Sequence, residues 1–123
     1  MFSETVLDHF QRPRNTGDLA GATHTVEVSN PVCGDVLRLA VRMDGQRIAE
    51  ARFLCRGCTT AIAAASFLTE CLIGGTRETA RAITAASISD GLGGLPPATW
   101  HSAQLAESAI GALLVALPAA TRG

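Results

Sequence analysis

A chain of 123 residues, 47% apolar and 17% charged, is long enough to bury one core and too apolar to stay disordered. Its net charge of -1 gives no electrostatic ground for binding nucleic acid or an anionic membrane. All ten basic residues are Arg, which reads as a compositional bias rather than a device. The expected organisation is a single domain over residues 1–123.

The opening segment MFSETVLDHF has neither the basic nor the apolar region of a secretory leader. No apolar run approaches the roughly 20 residues that span a bilayer. A cytoplasmic protein is therefore expected, and its four cysteines, Cys33, Cys55, Cys58 and Cys71, read as reduced thiols rather than disulfides.

In chain order, residues 3–10 suggest a short helix with Ser3 as N-cap and Val6 and Phe10 on one face. The next stretch, with Pro13, Asn15, Gly17 and Gly21, is a loop. β-Branched residues from Thr23 to Ser29 predict a strand stopped by Asn30-Pro31. Residues 36–43 alternate, with Leu37, Leu39 and Val41 sharing a face, and Asp44-Gly45 predicts a hairpin turn into a strand over 46–54. After Gly57 the spacing becomes helical, with Ile62, Ala65, Phe67-Leu68 and Leu72 in one stripe that ends at Gly74-Gly75. Shorter helices are expected over 76–82 and 85–90, GLGGLPP breaks the chain, and a last helix runs from His101 to about Leu117, stopping at Pro118. One helix, three strands and then several helices favour an α+β fold, a three-stranded antiparallel sheet with helices packed on one face.

Three places carry chemistry. Pro31-Val32-Cys33-Gly34-Asp35 puts a thiol and a carboxylate two residues apart, with Gly34 allowing close backbone approach. Both groups ligate divalent metals, although a buried Cys beside a turn Asp is the plainer reading. Cys55-Arg56-Gly57-Cys58 is a C-x-x-C at a strand-to-helix junction. A thiolate there is favoured by the helix dipole and by Arg56, so Cys58 is the most reactive thiol expected. Thioredoxin-like redox motifs share this spacing but sit in a βαβ unit, which this order of elements lacks. Trp100-His101-Ser102 opens the last helix, where Ser102 suits an N-cap and His101 becomes a credible ligand only in company with Cys33 and Cys58. Cys71, in mid-helix among apolar residues, is expected in the core, and His9 and His24 show no ligand spacing.

Together these segments closely resemble the IscU/NifU-type (SufU-like) iron–sulfur cluster assembly scaffold family. The likeness rests on LDHFQRPRNTG, VCGDVLRL, ARFLCRGCTTAIAAASFLTE and GLPPATWHSAQLAESAI, in that order, between Val6 and about Leu114. It implies the α+β fold already expected and a scaffold rather than an enzyme. In proteins it resembles, three cysteines plus an Asp or His take persulfide sulfur from a cysteine desulfurase and iron from a donor. They build a [2Fe–2S] cluster and pass it to recipient apoproteins, and several members carry zinc in the same pocket. Carried over by position, the implied ligands are Cys33, Asp35, Cys58 and His101.

Two positions depart from the family pattern. Ser102 stands where the third cysteine is usual, and the segment that reads LPPVK in chaperone-binding relatives is LPPAT here, with Thr99 in place of its Lys. A neutral hydroxyl is a poor substitute for thiolate on iron, because soft sulfur ligands stabilise these clusters. Two repairs are open. Cys55 supplies the missing thiolate, or Cys33, Asp35, Cys58 and His101 form a complete mixed set that suits zinc. The competing readings are thus a cluster scaffold, a zinc-binding module that has lost scaffold activity and serves as an interaction or sulfur-relay partner, and a thiol–disulfide protein using Cys55 and Cys58.

Overall fold

The computed structural model describes residues 2–31 and 34–117. Cys33 and the helix stop expected at Pro118 lie outside the described residues. The described elements are α1 (Glu4–Gln11), β1 (His24–Ser29), β2 (Val36–Asp44), β3 (Arg47–Arg56), α2 (Thr59–Leu72), α3 (Arg77–Arg81), α4 (Ala85–Gly91) and α5 (Trp100–Ala116). A single 3₁₀ turn, Pro97–Thr99, leads into α5.

Local chemistry sets most boundaries. The Ser3 hydroxyl caps α1 by accepting from the Val6 amide and donates to the Leu92 carbonyl at the end of α4. Thr76 and Thr84 cap α3 and α4 through reciprocal bonds with Thr79 and Ser87. The hairpin turn falls on Gly45-Gln46, one residue beyond the expected Asp44-Gly45, because Asp44 still pairs with Arg47 in the ladder. A register shift at Arg42/Met43 accommodates that end of the hairpin.

The sheet is antiparallel in the order β1-β2-β3, as expected. Period-two alternation sends Leu37, Leu39, Val41, Ala51 and Phe53 to one face, all buried, while Arg38, Arg52 and Leu54 point the other way. Helix α2, buried along Ala61, Ala64, Leu68 and Leu72, and helix α5, buried along Ala103, Ala106, Ala109, Ile110 and Leu113, close over the apolar face. The many alanines allow close approach, and each fully buried Leu contributes about 1.5–3 kcal/mol.

Three expectations differ. Phe10 is exposed, and His9 instead turns into the interface between α1 and α2, because it finds polar partners there. Cys71 is half-buried and outside the core, on the flank of α2 beside Glu70, where burial and that carboxylate push its thiol up. Ser102 is not an N-cap. Thr99 occupies the cap position without a side-chain bond, and Ser102 lies inside the first turn of α5, buried.

Candidate metal centre

The site forms at the end of the sheet, where the β1–β2 connection, the β3–α2 junction and the start of α5 converge. Asn30 closes the β1–β2 connection by donating its amide to the Asp35 carbonyl (2.8 Å) and accepting from the Gly34 amide (2.7 Å). Gly34 is used for its left-handed backbone (φ 75°), since open space surrounds its α-carbon; the expected close approach occurs at Gly57 instead. A Cβ on Gly57 would meet Asp35 Cγ at 2.9 Å and Ala61 Cβ at 3.1 Å. The missing side chain is thus what lets the Asp35 carboxylate lie across the β3–α2 junction, where it is buried.

Cys58 holds the N-cap position of α2, exposed, and its side chain makes no full capping bond. His101 reaches in from the first turn of α5. Cys58 Sγ lies 3.9 Å from Asp35 Oδ2 and 3.9 Å from His101 Nε2, and those two atoms are 3.8 Å apart. A point equidistant from three such corners lies about 2.2 Å from each, the side divided by the square root of three, against zinc distances of ~2.3 Å to sulfur and ~2.0–2.2 Å to nitrogen or oxygen. The three donors therefore fit one ion with a further coordination position open. Asp35, Cys58 and His101 are the only described cluster of three such groups.

The electrostatics differ sharply between the two thiols of the C-x-x-C. Burial raises the Cys58 thiol, but the polar groups around it, first Thr60 and then the Ala61 amide, Ser102 and His101, outweigh that and bring it down to about 7. Much of Cys58 is then thiolate at neutral pH, the form that binds metal and attacks sulfur. Cys55 goes the other way: burial, then the nearby Asp35 and Cys58, push it up to about 11. It sits opposite Leu37 on the helix-covered face of the sheet, packed against the core, and is not among the three convergent groups. The described cysteines are all free thiols.

Of the predicted site residues, Asp35, Cys58 and His101 converge, and Ser102 abuts them with its oxygen 3.7 Å from Cys58 Sγ. Thr99 instead bonds its own turn, donating to the Pro96 carbonyl at 2.9 Å. Sequence reasoning missed Thr60, whose oxygen is 3.2 Å from Cys58 Sγ, and the clearance role of Gly57. The pattern Gly57-Cys58 was a usable signal for the second, and a Thr in the first helical turn gave none for the first. A cavity of about 270 Å³ lies on the outer face of the sheet, lined by Thr25, Arg38, Ala40 and Arg52, away from the metal cluster.

An antiparallel three-stranded sheet with helices on one face and a thiol–carboxylate–imidazole cluster at its end defines an α+β protein with a candidate metal site. The chain belongs to the NifU-like N terminal domain family, whose profile matches residues 1–121. It is 41% identical over 110 residues to the iron–sulfur cluster assembly scaffold protein IscU 1 of Archaeoglobus fulgidus, covering 89% of this chain and 72% of that protein. It is 41% identical over 117 residues to the scaffold protein IscU of Haemophilus influenzae, covering 92% of each. In fold it matches a candidate cluster assembly scaffold for the SUF system from Fervidobacterium islandicum, with a TM-score of 0.75 at 20% identity, covering 90% of this chain and 94% of that one. No helix among the described residues is long and apolar enough to cross a membrane.

Proposed function

We propose that this chain is an iron–sulfur cluster assembly scaffold rather than an enzyme. It takes sulfur from a cysteine desulfurase, assembles a [2Fe–2S] cluster as cargo and hands it to recipient apoproteins. The observation that carries this reading is the triangle of Cys58 Sγ, Asp35 Oδ2 and His101 Nε2, with edges of 3.8–3.9 Å, in a chain of this family. Cys33, two residues before Asp35 in sequence, is the proposed fourth ligand.

Cys58 is the proposed sulfur acceptor, being exposed and, with its thiol brought down to about 7, substantially thiolate near neutral pH. Its thiolate attacks the outer sulfur of the donor's persulfide; a new S–S bond forms on Cys58, the donor's S–S bond breaks, and the donor cysteine leaves as thiolate. Releasing that sulfur as sulfide takes two electrons from an external thiol reductant.

The mixed S/O/N set also supports a second reading, a zinc-binding module acting as an interaction or sulfur-relay partner, because its dimensions suit a tetrahedral zinc ion. One experiment separates the two. Anaerobic protein is supplied with ferrous iron, cysteine, a cysteine desulfurase and a thiol reductant, and iron, acid-labile sulfide and zinc are measured with the visible spectrum. The scaffold reading expects a coloured protein with matched iron and sulfide, lost in Cys58→Ala. Colourless, folded protein holding about one zinc per chain, lost in His101→Ala, would establish the zinc reading instead.

A further inference from the structure

Ser102 has a different job from the cysteine usual at its position, and the structure assigns it through Thr60. Thr60 lies in the first turn of α2 and Ser102 in the first turn of α5, each 1% exposed. Their hydroxyl oxygens are 2.7 Å apart, a full hydrogen bond made inside the protein between two helices. Cys58 Sγ sits against this pair, 3.2 Å from Thr60 Oγ1 and 3.7 Å from Ser102 Oγ.

Proton counting orders the cluster. Two hydroxyls carry two protons, and a sulfur serving as ligand carries none. One proton is consumed in the O–H···O bond, and the other is left to donate. The shorter sulfur contact belongs to Thr60, so Thr60 donates to Cys58 Sγ and Ser102 donates to Thr60. Neither buried hydroxyl then lacks a partner, and an unmatched buried hydroxyl would be destabilising.

We propose that Thr60 and Ser102 form a two-hydroxyl relay, Ser102 to Thr60 to Cys58, that orients the Cys58 sulfur for metal binding, and that Ser102 acts only through this relay and is not a ligand. Both are positioning residues, and the proposal rests on Cys58 being a ligand, as in the scaffold reading. The relay also explains why a small hydroxyl is accommodated at position 102: it completes a bond that Thr60 needs in order to point its own proton at sulfur.

The test uses cobalt(II) as the probe, titrated into the intact, anaerobically reduced protein. Affinity and the sulfur-to-cobalt charge-transfer band are read for Thr60→Val, Ser102→Ala and the double variant, and thermal melts confirm folding. The relay expects each single variant to weaken cobalt binding about 10-fold and to shift the band to lower energy, as a thiolate stripped of its hydrogen bond becomes a stronger donor. It further expects the double variant to be no worse than either single one, because both cut one chain, and Thr60→Ser to restore wild-type behaviour. Two results overturn it: wild-type affinity and band in both single variants, or loss of binding in Ser102→Ala with Thr60→Val unaffected, which would make Ser102 a direct ligand. Cys58→Ala tests the underlying reading separately, since an undiminished charge-transfer band there would remove Cys58 from the ligand set altogether.

Discussion

Helix α2 carries two polar clusters about two turns apart, built from the same kinds of residue and put to opposite uses. In the first, His9 Nδ1 is 2.8 Å from Ser66 Oγ, and His9 Nε2 is 3.4 Å from the Glu70 carboxylate. Ser66 also accepts the Arg14 amide at 2.9 Å, and the His9 ring packs edge-on against Phe67 at 5.8 Å. His9 is thus held between the Ser66 hydroxyl at one ring nitrogen and the Glu70 carboxylate at the other. Serine, histidine and carboxylate stand in the order of a hydrolytic triad, yet Ser66 is 0% and His9 5% exposed, so no substrate reaches them. This cluster fastens α1 and the following loop to α2.

At the other cluster, the donors of Cys58, Asp35 and His101 stand 3.8–3.9 Å apart, too far for one another's strong hydrogen bonds and well spaced for a shared ion. Donors matched to each other make a fastening, and donors held apart on one open side make a ligand site. Residue type distinguishes the two poorly. Spacing and exposure distinguish them well.

Substitutions should separate the clusters cleanly. The largest effect is expected for Cys58→Ala, which removes a direct ligand and should weaken zinc or cobalt binding by about 100-fold or more, above the range for supporting residues, with the thermal midpoint little changed. Equal loss of stability and binding would mean that the open cluster is also structural. Ser66→Ala should do the converse. Stripping buried partners from His9 and the Arg14 amide should cost about 1–3 kcal/mol in urea unfolding and leave metal affinity as in wild type.

A smaller change is expected for Gly57→Ala, whose new methyl displaces the Asp35 carboxylate and should lower metal affinity about 10-fold while circular dichroism stays that of the wild type. Unaltered affinity would show that Asp35 does not contribute to the site. The smallest effect concerns pH. Desolvation first, and then Arg14, lower the His9 pKa below its ordinary 6.5, against weaker opposing pulls from Glu70 and Asp8. The unfolded chain then binds the proton more readily than the folded one. The His9 contribution is complete above about 6.5 and is lost as pH falls through the depressed folded value. Urea midpoints measured from pH 7.5 down to 5 should fall in wild type and fall less in His9→Gln; parallel curves would remove His9 as the cause.

Much of the fold was legible because it rests on short-range rules. Alternation at Leu37, Leu39 and Val41, the cap at Ser3, the break at GLGGLPP and the glycines after Leu72 are all fixed by neighbours in the chain. Of the site, Asp35, Cys58 and His101 were named from local motifs and from the resemblance, and the structure brings them together. Helical spacing set Phe10 on one face with Val6, and only the presence of Ser66 and Glu70 on the facing helix shows why His9 goes in while Phe10 stays exposed.

The sequence by itself determined the order of elements, the thiol, carboxylate and imidazole available, and the replacement at Ser102. Tertiary structure decided what each group became. It set Cys55 against the core with its thiol up at about 11 and Cys58 on the open side at about 7, although the two are three residues apart. It also paired Ser102 with Thr60, 42 residues earlier in the chain. The physical reason is that desolvation and hydrogen bonding depend on what lies across the fold, and no spacing along one chain encodes that directly.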